Sequence, residues 1–169
     1  MIKKTLVSVL VIIIAFLLQT TVFKSIALAD VVPNLLIIVT VTYGYIRGRT
    51  HGMWIGFVCG LMLDMMYGSV IGLYAFIYMT IGFFIGYIKK IFFTDNILLP
   101  VVLFSISDFV YCFYYFITEF LLRGRLNFFF YFLHVILPEM MYTVLVGIGF
   151  FYLIRMIDNI LAIRTQEEL

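Results

Sequence analysis

The chain has 169 residues, of which 65% are hydrophobic, 19% aromatic and only 12% charged. An ordinary soluble domain carries about 25% charged residues, so this composition excludes a conventional soluble enzyme and predicts a polytopic membrane protein in one integral-membrane domain, residues 1–169. A net charge of +2 is too small to suggest a nucleic-acid partner; membrane lipid is the expected surroundings.

Six spans are the most economical reading in chain order. The first runs from about Thr5 to Phe23. Lys3 and Lys4 before it and Ala27-Leu-Ala29 after it resemble a secretory signal, but 19 apolar residues exceed the usual ~7–15-residue signal core, so the span is read as retained. The second runs from about Val32 to Ile46 and the third from about Thr50 to Tyr67. The fourth covers about Val70 to Ile88, the fifth about Ile97 to Leu122, and the sixth about Phe130 to Ile154. Short breaks make successive helices antiparallel neighbours. Arg164 to Leu169 reads as a frayed polar tail.

Basic residues set the orientation. With the N-terminus inside, Lys3, Lys4, Arg47, Arg49, Lys89, Lys90, Arg155 and Arg164 lie on the cytoplasmic side, against Lys24, Arg123 and Arg125 outside. That is eight of the eleven basic residues, which favours both termini in the cytoplasm. Phe128 to Phe132, beside Arg123 and Arg125, reads as an interfacial aromatic belt, with a docking surface for a partner helix as the alternative.

The third span carries the most distinctive pattern. Gly52, Gly56, Gly60 and Asp64 recur every fourth residue and form one helical ridge. Each interior Gly costs about 1 kcal/mol against Ala in a helix, yet in a bilayer a bare ridge admits a second helix closely. The orientation puts Asp64 near the outer face, where its carboxylate is expected to cap the fourth helix through the amides near Ser69 and Val70.

Asp108, Glu119 and Glu139 also fall within apolar runs, where charge is costly and acids face the bundle interior. Asp108 and Glu119 are eleven apart, close to three turns, and are expected to share a face with Ser105, Cys112 and Tyr115. That stripe is read as an inward-packing face rather than an ion path, with Arg123 and Arg125 available to Glu119. Pro138 before Glu139 predicts a bend, either a packing device or a broken-helix binding site. Cys59 and Cys112 lack metal-ligand spacing and read as small packing residues. His51 and His134 are isolated, so no metal, no cofactor and no catalytic residue is assigned.

The chain resembles the rod shape-determining MreD family. The likeness begins with Leu18-Gln19 and Val32-Pro-Asn-Leu-Leu-Ile-Ile38. It is strongest at Gly56-Phe57, Gly60-Leu61, Asp64, Gly68 and Gly72, and continues through Tyr78, Gly82, Tyr87 and Leu137-Pro138-Glu139. Asn34 stands where the family often has Asp, and Tyr142-Thr143 where it often has Asn. The resemblance implies an all-α six-helix bundle similar to the S-components of energy-coupling-factor transporters. It implies a non-enzymatic role in cell elongation at the bacterial inner membrane, with MreC as partner and the MreB filament and cell-wall synthases acting with them in peptidoglycan synthesis. With it, Gly52, Gly56, Gly60 and Gly72 are assigned to helix packing. Asp64, Pro33, Gln19, Pro138 and Glu139 are assigned structural polar roles. The alternative is a small-molecule-binding S-component, whose function a shared fold does not transfer.

Overall fold

A computed structural model describes residues 2–27, 31–68, 71–91, 98–121 and 128–167. Leu28 and Ala29 of the signal-like site, the Ser69–Val70 turn, and the side chains of Glu119, Arg123 and Arg125 lie outside the described residues. The described chain forms six helices and no strand. Helix α1 spans Ile2–Leu17 and runs through a wider π turn at Leu18–Val22 into Phe23–Ser25. Next come α2 (Leu35–Arg47), α3 (Arg49–Tyr67) and α4 (Leu73–Ile91). Helix α5 is Leu98–Tyr115, prolonged by a π turn at Phe116–Leu121. Helix α6 opens at Phe128–Tyr131, passes a π turn at Phe132–Ile136 and continues over Leu137–Glu167.

Three of these helices are long and apolar enough to cross a bilayer: Lys4–Ser25, Leu98–Thr118 and Phe129–Leu161. They are largely unburied within the fold, and large apolar side chains such as Leu6, Leu10, Ile106, Leu145 and Met156 face outward. A patch of that extent would aggregate in water and is at home in lipid. The fold is an all-α membrane helical bundle.

Helix α2 is the centre. Its 13 residues reach about 20 Å at 1.5 Å each, short of a ~30 Å hydrocarbon core. Every residue from Leu35 to Tyr45 is buried, because α1, α3, α4, α5 and α6 all pack on it. The helix starts three residues later than the expected Val32, since Pro33 and Asn34 form its cap instead of its first turn. Its C-terminus turns into α3 through one residue, Gly48, at φ +87°. Gly48 donates to the Gly44 carbonyl and accepts from Gly52 N–H, both at 3.0 Å. A left-handed residue joining two helices is where glycine costs least.

Two other boundaries differ from the sequence reading. Helix α4 starts at Leu73, not Val70, because Gly72 at φ +105° turns the chain just ahead of it. Helix α6 continues past the expected end at Ile154 to Glu167, so it also takes in part of the tail from Arg164 expected to fray. No Gly or Pro follows Gly149, so nothing local stops the helix.

Candidate functional site

The glycine ridge is filled from within. A Cβ on Gly56 would come within 3.0 Å of the Tyr78 carbonyl, and one on Gly60 would meet Ala75 Cα and the Tyr74 carbonyl equally closely. One on Gly52 would overlap the Gly82 carbonyl and Gly44 Cα. From the facing helix, Gly82 backs onto the Gly52 carbonyl and Gly86 onto Arg49. Helices α3 and α4 are therefore in backbone-to-backbone contact, and the ridge has no room left for a second chain. Gly72 has another job: it sits in the turn, with nothing near its missing Cβ, and its positive φ is what the position requires.

Asp64 closes the turn end of this hairpin. It is 2% exposed, and its two oxygens accept from the amides of Tyr74 (3.0 Å) and Ala75 (2.9 Å). The capped amides belong to the first turn of α4, not to the Ser69–Val70 region. With α4 starting at Leu73, the first turn holds the donors that lack intrahelical partners, and Gly72 has no side chain to offer them.

The N-terminus of α2 ends in a buried polar seam. Asn34 Oδ1 accepts from Ile37 N–H at 3.2 Å and from the Tyr78 hydroxyl at 2.8 Å. The Asn34 backbone N–H donates to Thr143 Oγ1 at 3.1 Å, and Gln19 Oε1 accepts from Leu36 N–H at 3.2 Å. The Pro33 carbonyl accepts from Leu35 N–H at 3.1 Å. Asn34 and the Tyr142-Thr143 pair are where the chain departs from the resembled pattern, and here Asn34 and Thr143 touch. Nothing in a linear reading connects residues 109 apart. The π turn at Leu18–Val22 carries Gln19 inward, and no sequence signal marked it.

At the other end, Arg47 ties three helices together. Its Nε donates to Asp158 Oδ1 at 2.9 Å, and its Nη1 to Ser8 Oγ at 2.6 Å and the Lys4 carbonyl at 3.3 Å. The guanidinium also lies 4.7 Å from the Tyr43 ring centroid. Asp158 escaped the sequence reading because it falls on the unanticipated extension of α6.

Beneath the seam lies a third cluster. Asp108 and Cys112 are one turn apart on α5, and Glu139 reaches them from α6 just after the π turn and Pro138. One ligand-type atom from each lies within 4.8 Å of the others. Asp108 is fully buried, and neither of its carboxylate oxygens has a hydrogen-bond partner among the described residues. Half-buried Glu139 also lines a cavity of about 800 Å³, together with Gln19, Lys24, Tyr67, Tyr74 and Tyr111. The expected Asp108–Glu119 stripe turns on the Glu119 side chain, which lies outside the described residues; the backbone between the two passes through the π turn at Phe116–Leu121. Ser105 donates to the Val101 carbonyl of its own helix. Cys112, read as a packing residue, is buried beside two acids. His134 stays apart, bonded to the Phe130 carbonyl and stacked on the Phe130 ring, and His51 is exposed on α3.

Neither curated proteins nor solved structures yield a match to this chain. The family described as rod shape-determining protein MreD matches residues 1–161, nearly the whole length and all six helices. The capped glycine hairpin, the buried α2 and the α6 segment around Pro138 all fall inside that match, and the chain belongs to the MreD family of rod shape-determining proteins.

Proposed function

We propose that this protein is a non-enzymatic, six-span component of the bacterial inner membrane that works with MreC to guide peptidoglycan synthesis along the side wall. Both termini lie in the cytoplasm, and the MreB filament and cell-wall synthases are reached through the assembly rather than by direct catalysis. Family membership over residues 1–161 carries this reading. The packing refines it. Since the glycine ridge is used internally by α4, a partner's membrane helix has to engage the outward apolar faces of the long helices. The test is copurification from membranes. MreC is expected to come down with the wild-type chain, and depletion of the chain is expected to round the cells. Normal rod growth after depletion, or absence of MreC from the purified complex, would overturn the reading.

The cavity supports a second reading, a small-molecule binder of the transporter S-component type. Its volume of about 800 Å³ falls in the usual range of ligand pockets, and Lys24, Glu139 and several tyrosines line it. Native mass spectrometry of the purified chain separates the two. A stoichiometric small molecule that is lost on Glu139→Gln favours the binder; a bare chain that retains MreC favours the scaffold.

A further inference from the structure

The Asp108–Cys112–Glu139 cluster is not explained by packing. Polar atoms in a protein interior are nearly always satisfied, yet both oxygens of the fully buried Asp108 carboxyl lack partners among the described residues. The groups nearest to it include a second carboxyl and a thiol, all three within 4.8 Å. Holding two carboxylates and a thiolate together in an apolar interior is costly, and a cation bound between them would offset that cost.

We propose that Asp108, Cys112 and Glu139 form a binding site for a divalent transition-metal ion of the zinc class. The donor set selects the ion. Magnesium and calcium prefer all-oxygen shells, whereas a sulfur with two carboxylate oxygens suits a borderline-soft ion. Tetrahedral bonds of 2.0–2.3 Å imply ligand–ligand distances of about 3.3–3.8 Å, so the trio closes by about 1 Å around the ion through side-chain rotation. Asp108 and Cys112 share one face of α5 at i, i+4 spacing, and the π turn before Pro138 aims Glu139 at them from α6. Three protein ligands leave one tetrahedral position open. Because Glu139 also borders the cavity, the ion has a route in, and the fourth position is open to water or to a donor from a cavity guest. The bound ion would staple α5 to α6 below the cavity. The site goes beyond the scaffold role and does not depend on it.

Cobalt(II) is a direct probe, because a thiolate ligand gives it a charge-transfer absorption band. The full chain, purified in detergent and stripped with chelator, is titrated with Co2+ and then with Zn2+. One equivalent of cobalt is expected to bind with a thiolate band that zinc bleaches and excess magnesium does not. Cys112→Ser is expected to abolish the band, while Cys59→Ser, which removes the other cysteine, leaves it intact. Asp108→Asn and Glu139→Gln are each expected to weaken binding about tenfold or more. A wild-type chain that binds no cobalt overturns the proposal, whatever the variants do. So does a band that survives Cys112→Ser, or binding that neither carboxyl variant weakens.

Discussion

At the scale of single residues, the polar groups of this protein act as fasteners for helix ends. Asp64 shows it most directly: one carboxylate serves two first-turn amides of a neighbouring helix. Asp64→Asn keeps one acceptor oxygen, whereas Asp64→Leu strands two buried donors at about 1–3 kcal/mol each. The detergent-denaturation midpoint is therefore expected to fall modestly for Asn and steeply for Leu. Equal and severe losses would instead make the negative charge itself the requirement. Arg47 plays the corresponding part at the opposite end, bonded to α1 and α6 while its backbone closes α2. Arg47→Leu leaves Asp158, 14% exposed, without its partner. A fully buried pair broken this way costs about 3–5 kcal/mol; partial exposure lowers that to about 2 kcal/mol. Asp158→Asn retains an acceptor for the guanidinium and is expected to be the milder change in the same unfolding measurement.

At the scale of elements, α3 and α4 behave as one unit. Helix propensity alone favours replacing any of the ridge glycines, by about 1 kcal/mol per Gly→Ala. Contact with rigid backbone reverses the sign: a Cβ at Gly56 meets the Tyr78 carbonyl, which cannot rotate away. Overpacking of this kind costs about 1–3 kcal/mol, so Gly56→Ala is expected to be destabilising on balance. A methyl group at Gly149 would meet nothing within 4 Å, and Gly149→Ala is expected to be neutral or slightly stabilising. Comparing the two variants by thermal unfolding in detergent separates close packing from propensity, since propensity alone predicts the same gain at both. The π turns are the other element-scale device. Each adds a residue to a helical turn, and those before Pro138 and around Gln19 turn polar side chains toward the interior.

At the scale of the whole molecule, the bundle is built around a helix too short to span a bilayer. Helix α2 keeps its polar ends out of lipid because the surrounding helices supply the partners: Gln19 from α1, Tyr78 from α4 and Thr143 from α6. Irregular backbone at membrane depth is tolerated only in such protein surroundings. The even number of helices and the distribution of basic residues lead to a topology test. A fluorescent reporter fused at the C-terminus is expected to glow in the cytoplasm, and alkaline phosphatase fused there is expected to stay inactive. The opposite pattern would overturn the cytoplasmic placement of that end.

By itself the sequence determined the membrane class, the six helical segments and the ridge at Gly52, Gly56 and Gly60. Those features are written in local quantities: apolar run length, a four-residue repeat, and basic residues at run ends. It missed the one-residue hinge character of Gly48, the onset of α4 at Leu73 and the reach of α6 to Glu167, because caps and turns depend on φ and on which donors remain unpaired. Tertiary structure alone decided what the ridge touches, how Asn34 meets Thr143, and that Cys112 joins Asp108 and Glu139. Such pairings join residues far apart in the chain, and π turns shift the register by which a helical count would find them. The residue types marked where polar chemistry was placed in an apolar chain; only packing showed which of those groups share a site.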